Sequence, residues 1–275
     1  MAGCFVAEDD TEVADGAFDF EPVAPASTGD PDEPPVSHNP FDPGCFWSDG
    51  VQKTYRDLSK GALTSPQSLL PSMPHLSNTP NSCRKQALDY LVGCALPFGD
   101  SAIDPATGTA HAGRFGLAAS WQTGAPDTTS KEWVTSCLAA HLNGYMTPTT
   151  LLLEGNHDGL YFNSQLQASY KKRESITWGN IFDTPPNDTP KVYVCHFDDL
   201  ANACGASTTS AVNHRVCDDS PDCGLIPMGN CNTACSWPTS AGGSANGYWT
   251  CGSTNTSVRV RLQDFSRYST DCSTP

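Results

Sequence analysis

Thirteen cysteines in 275 residues constrain this chain more than any other feature. They are Cys4, Cys45, Cys83, Cys94, Cys137, Cys195, Cys204, Cys217, Cys223, Cys231, Cys235, Cys251 and Cys272. Disulfides persist in oxidising compartments, and cysteine at this density beside 23 Gly and 22 Pro predicts an exported, loop-rich protein stapled by bridges. The count is odd. Setting Cys4 aside leaves twelve cysteines that six disulfides can consume, from Cys45 to Cys272. Cys4 closes the opening Met1-Ala2-Gly3-Cys4, a small-small-Cys run like the end of a bacterial lipobox, which makes it the candidate lipid anchor. Neither a charged nor an apolar signal region stands between Met1 and Cys4, so that reading expects a start further upstream. The plain alternative is a chance match of a short motif.

Charge divides the chain. The net charge is -15, yet residues 1–52 hold twelve acidic side chains and no Lys or Arg. The remainder has 18 acidic and 15 basic residues, a net of only -3. Nucleic-acid binding needs clustered Lys and Arg, and neither part has them. No apolar run approaches the ~18 residues that span a bilayer. Residues 1–43, rich in Asp, Glu, Pro and Ala without hydrophobic period, read as a disordered acidic tether. Membrane contact is expected only through a lipid on Cys4.

The clearest periodic stretch is Thr129–Tyr145, TSKEWVTSCLAAHLNGY. Trp133, Val134, Cys137, Leu138, Leu142 and Tyr145 recur at helical spacing. Thr129 and Glu132 form a candidate capping box, Gly144 a left-handed stop and Pro148 a barrier to continuation. A second helix is expected over Ser82–Leu96, capped by Asn81 or Ser82. Cys83 and Cys94 would lie roughly 16 Å apart along it, too far for a mutual disulfide, so each must reach another segment. Cys137 is a natural partner for one of them.

Residues 44–80 read as an irregular, proline-punctuated wrap that Cys45 could pin. Gly113–Trp121 suits a strand or a tight loop packed on a helix. Thr147–Leu153, Ile176–Phe182, Lys191–Cys195 and Val258–Leu262 read as short strands. The expected fold class is therefore α+β: a compact disulfide-rich domain with two main helices packed on short strands. The expected division is a tether over 1–43, a core over 44–194 and a Cys-rich loop and strand region over 195–275 in the same globular unit.

Cys83-(x10)-Cys94-Ala95-Leu96-Pro97, then Gly116-Leu117-Ala118, Trp121, Trp133-Val134, Cys137-Leu138, His141 and Asn143 form a pattern over about residues 80–235. It continues through Glu154-Gly155, Gly179-Asn180-Ile181-Phe182 and Tyr193-x-Cys195. The pattern resembles uncharacterised, Cys-rich, predicted secreted or lipoprotein-like proteins of the myxobacterial type. The resemblance implies export and a compact disulfide-bonded domain, and no catalytic residue.

Chemistry has several weak candidates. Gly155-Asn156-His157-Asp158 matches the GNHD block of metallophosphoesterases, whose Asn and His sit at a two-metal centre. The accompanying Asp-x-His and Gly-His-x-His blocks are missing, and Gly99–Asp104 has one residue too many for Gly-Asp-x-x-Asp. A polar turn after a buried strand is the simpler account. Cys137 and His141, four apart, are neighbours on a helix surface and suit a nucleophilic pair, but a disulfide at Cys137 competes. Glu154 with Glu174, or Asp198 with Asp199, could supply the carboxylate pair of a glycosidase. Trp178, Trp237, Tyr248 and Trp249 suit a sugar- or polymer-stacking surface, or aromatic packing on disulfides. Cys231-(x3)-Cys235 and His214-(x2)-Cys217 are isolated spacings without a Cys-x-x-Cys, so no metal or cofactor is expected. The reading that follows is a binding or structural protein with an unknown surface ligand or protein partner. The alternative is a secreted hydrolase using loops near Glu154, His157, Asp158, Asp198 and Asp199.

Overall fold

In the computed structural model, the central helix begins at Asp127 rather than at Thr129. The Asp127 carboxylate accepts the Ser130 amide at 2.7 Å, and the helix runs Thr128–Ala140. Glu132 is not part of a capping box, because its Oε2 accepts the Thr256 hydroxyl instead. The helix also ends before Gly144. Phe41 donates its amide to the His141 carbonyl and accepts the Asn143 amide, so a passing segment takes the backbone groups a further turn would use. The structure describes residues 37–38, 41–64, 68–144, 149–160, 164–185, 188–199, 224–236, 248–252 and 255–264. The expected tether up to residue 36, together with Cys4, Cys204, Cys217, Cys223, Cys272, His214 and Trp237, lies outside the described residues.

Along the chain come β1 (Ser37–His38), α1 (Pro43–Trp47), α2 (Asp49–Leu58), α3 (Asn81–Ala95), β2 (Ser101–Ile103), β3 (Ala110–Ala112) and α4 (Thr128–Ala140). After them follow β4 (Thr150–Glu154), α5 (Ser164–Ser169), β5 (Lys172–Asn180), β6 (Lys191–His196), β7 (Leu225–Asn230), α6 (Cys231–Ala234), β8 (Cys235–Ser236), β9 (Thr250–Cys251) and β10 (Val258–Leu262). The class is α+β, disulfide-rich, with α3 and α4 as main helices. The fold takes in residues expected in the tether: β1 pairs with β4, and Phe41 is fully buried.

Helix α2 is an addition within the expected wrap. Ser48 caps it by accepting the Val51 amide, and Val51, Tyr55 and Leu58 face the core at helical spacing. The Tyr55 hydroxyl donates to the Ala87 carbonyl of α3. Nor is α3 capped by Asn81 or Ser82: its N-cap is Pro80, with no side-chain cap.

Six strands form one sheet in the order β1-β4-β10-β5-β6-β7. The last described segment thus enters its centre: β10 lies antiparallel between β4 and β5. Side chains alternate across the sheet. Leu151, Leu153, Val192, Val194, Val258, Val260 and Leu262 join the main core on the helical side. Ile176, Trp178 and Cys195 point the other way, into a second cluster with Phe197, Cys231, Cys235 and Cys251. Helix α4 lies between α3 and the sheet, so every residue from Trp133 to Ala140 is buried, not one face alone. Small side chains permit that closeness: Ser136 donates to the Thr256 carbonyl, and Thr177 of β5 donates to the Ser136 carbonyl.

The 113–118 segment is a loop packed on a helix end. The amides of Arg114, Phe115, Leu117 and Ala118 donate to carbonyls of Gly93, Cys94 and Ala95, satisfying the orphan acceptors that end α3. Gly116 adopts φ +62 there, where a Cβ would be strained. At Gly159 the constraint is space, since a Cβ would overlap the Phe115 carbonyl oxygen. Gly159→Ala is therefore expected to cost about 1–3 kcal/mol, read as a lowered Tm. An unchanged Tm would contradict this packing.

All eight cysteines among the described residues are bridged. Cys45–Cys83 ties α1 to α3, and Cys94–Cys137 ties α3 to α4. Cys195–Cys231 joins β6 to α6, and Cys235–Cys251 joins β8 to β9. Cys83 and Cys94 thus each reach a different segment, as their helical separation requires.

Candidate functional site

Of the sequence-derived candidates, Glu154 falls on the sheet face away from the helices, where Arg259 and Arg261, not singled out in the sequence, alternate with core residues. Register brings the first two together, because Arg259 sits opposite Glu154 on β4 and opposite Ile176 on β5. Glu154 is 1% exposed. Its Oε2 accepts Arg259 Nε and Nη2, both at 2.6 Å, and Arg261 Nε stands 4.0 Å away. Its Oε1 accepts the Gln167 side-chain amide from α5. Such a carboxylate has both oxygens engaged by partners.

A small depression of about 10 Å³ lies beside this pair, lined by Glu154, Gly155, Ile176, Tyr248, Trp249, Ser257 and Arg259. Tyr248 and Trp249 are half-buried. The Ser257 hydroxyl donates to the Trp249 carbonyl and fixes this segment beside β10. Trp249 meets Phe197 edge to face at 5.7 Å, and the Arg173 guanidinium lies 4.8 Å over the other ring of that pair, Phe197. Nearby, Trp178 stacks on Tyr193 at 5.6 Å. Two disulfides back these rings in the same cluster. Of the aromatic residues singled out in the sequence, Trp178 and Trp249 thus pack on disulfides, and Tyr248 and Trp249 border a surface depression.

The other candidates do not converge with Glu154 into a metal or acid-base centre. Gly155–Asp158 is a polar turn after β4: the Gly155 amide donates to the Leu160 carbonyl and the Gly159 amide to His157 Nδ1. The His157 ring rests edge to face on Trp133 at 5.4 Å. Asp198 accepts the side-chain amides of Asn230 and Asn232, and Asp199 accepts the Arg173 side chain at 2.9 Å. Glu174 is buried and accepts the Ser175 hydroxyl. Cys137 is not a nucleophile, because it is bridged to Cys94. His141 Nδ1 donates to the Cys137 carbonyl at 2.8 Å, so that nitrogen carries its proton and is no base toward sulfur.

Among the described residues, two groups of three His, Cys, Asp or Glu lie close enough to share a metal ion. They are Cys94, Cys137 and His141, and Cys195, Cys235 and Cys251. Neither contains Glu154, His157, Asp158 or Asp198. No helix among the described residues is long and apolar enough to cross a membrane. No family model, curated protein or solved structure matches the chain.

Acid should loosen this region. Burial lowers the pKa of His157 and of His196 below the ordinary value, against the opposing pull of Asp158 and Asp198. Above about pH 6.5 both states hold these rings neutral. As pH falls below that, the unfolded chain binds protons first, so stability drops. For Asp199 burial acts upward, but the Arg173 hydrogen bonds and charge prevail and hold its carboxyl low. Its contribution is present above about pH 4 and is lost below. Chemical denaturation at stepped pH is expected to give a plateau above about pH 7 and a decline through pH 6. Stability that rises between pH 7 and pH 5 would contradict these assignments.

Proposed function

We propose that this chain is an exported, disulfide-held binding protein whose ligand meets the face carrying Tyr248 and Trp249. The observation that supports it is their half-exposed placement on a disulfide-backed platform, beside a Glu154 carboxylate already matched by Arg259. Flat rings with one apolar face and a polar floor suit a ligand with alternating apolar and hydroxyl surfaces, as in a carbohydrate polymer. Four disulfides fit work outside the reducing cytosol. A lipid on Cys4 would hold the protein at the cell surface through the acidic stretch, and mass spectrometry of the natural N-terminus reads such a group directly.

Soluble cello- and chito-oligosaccharides and their insoluble polymers are the probes, read by tryptophan fluorescence and by sedimentation with the polymer. Saturable binding is expected, weakened more than about tenfold by Trp249→Ala, as for removal of a stacking ring. Binding to none of these probes would overturn the carbohydrate assignment. Release of reducing sugar by the wild type, abolished in Glu154→Gln, would favour the secreted hydrolase instead.

A further inference from the structure

We propose that Cys195, Cys231, Cys235 and Cys251 form a redox-gated zinc site, held as two disulfides when oxidised and as a four-thiolate zinc centre when reduced. The two bridges are in direct contact: Cys195 Sγ lies 3.7 Å from Cys235 Sγ. Cys195, Cys235 and Cys251 place their sulfurs within 4.8 Å of one another. Cys231 is bonded to Cys195 and completes the set. A tetrahedral zinc with bonds of ~2.3 Å separates its sulfurs by roughly 3.8 Å, so the contact between the bridges already has the spacing of one tetrahedral edge.

The backbone suits four ligands. Cys231 and Cys235 come from one short turn, α6 and the start of β8, at a Cys-(x3)-Cys spacing within the range of zinc ligand pairs. Cys195 comes from β6 and Cys251 from β9, and β8 pairs with β9 so that Cys235 faces Cys251. Cys195, Cys231 and Cys251 are fully buried and Cys235 is 7% exposed, so a metal there would be shielded from competing water. Trp178, Phe197 and Trp249 surround the group, leaving an apolar shell of the kind that closed structural zinc sites have. The Cys94, Cys137 and His141 group does not match it, since it offers only two sulfurs and the His141 Nδ1 is occupied by the Cys137 carbonyl.

The chemistry balances with a dithiol as reductant. Each protein disulfide accepts two electrons and two protons from one dithiol, which leaves as its own disulfide, so both bridges together yield four thiols. Zinc then binds as the thiols lose protons to the solvent. Reoxidation by a disulfide oxidant removes four electrons, rejoins the two pairs and releases the metal. The site would let the same fold be held by zinc before export and by bridges after it.

The test uses the full chain, reduced with a dithiol and freed of it by anaerobic gel filtration, with cobalt(II) as spectroscopic probe and zinc as competitor. The expected result is one tightly held cobalt with the charge-transfer and visible bands of tetrahedral thiolate, displaced by zinc and absent from the oxidised protein. Cys251→Ser and Cys235→Ser should each weaken binding more than about tenfold. The paired Cys94→Ser/Cys137→Ser variant should leave the bands in place. Circular dichroism on the same samples separates loss of the site from loss of the fold. The proposal fails if the reduced, folded chain shows no tetrahedral thiolate spectrum. It also fails if Cys251→Ser keeps the full spectrum, since other thiols would then hold the metal, or if the reduced chain unfolds and metal does not restore it.

Discussion

Replacing Arg259 with methionine is expected to destabilise the protein by about 3–5 kcal/mol. The change leaves Glu154, 1% exposed, without the guanidinium that contacts it twice at 2.6 Å. An unmatched buried carboxylate loses its hydration and receives little in exchange. Arg261 at 4.0 Å is too distant to replace a pair of short hydrogen bonds. The paired variant Glu154→Leu/Arg259→Met removes both charges and should recover most of the loss, because the net worth of a buried pair against apolar side chains is small. For a chain of this size the single variant should lower Tm by roughly 6–20 °C. A Tm within a degree of wild type would show that the pair is solvated and the depression beside it is open to water. The distinction bears on the proposed function, which takes Glu154 as matched by Arg259.

Removing the Cys94–Cys137 bridge as a Cys94→Ala/Cys137→Ala variant should cost about 4 kcal/mol by loop-closure entropy, for a bridge spanning 43 residues. It joins the two main helices, and both sulfurs lie in the core. The Cys235–Cys251 bridge spans only 16 residues, so the corresponding variant should cost about 3 kcal/mol. Urea denaturation of the two variants side by side gives the order. If the shorter bridge proved the costlier one, strain or packing in the outer cluster would outweigh chain entropy.

Much of this architecture is legible locally. Val258–Leu262 alternates as a strand and is one, with Val258, Val260 and Leu262 in the core and Arg259 and Arg261 behind the sheet. The eleven-residue helical separation of Cys83 and Cys94 forces two outgoing bridges, and Cys137 receives one of them. Helix α2 was also readable, from Ser48 as cap and Val51, Tyr55 and Leu58 at helical spacing. Its low mean hydropathy and the prolines that follow mask it. The Asp127 cap shows the limit of a capping-box pattern: Thr129 and Glu132 have the right spacing, but Thr256 claims the glutamate from 124 residues away. The Glu154–Arg259 pair spans 105 residues and the Cys195–Cys235 contact 40. No local period encodes either: the first arises from sheet register, the second from packing between two separate sheets. That is why the sequence offered Glu154 as a free carboxylate and the structure closes it.

Four disulfides among the described residues hold this fold. Alkylation of the natural, unreduced protein followed by peptide mass mapping tests this most directly. The predicted result is no label on the eight bridged cysteines, with cross-linked peptides joining Cys45 to Cys83, Cys94 to Cys137, Cys195 to Cys231 and Cys235 to Cys251. Labelled thiols at these positions in the folded protein would contradict both the stapled fold and the export that rests on it.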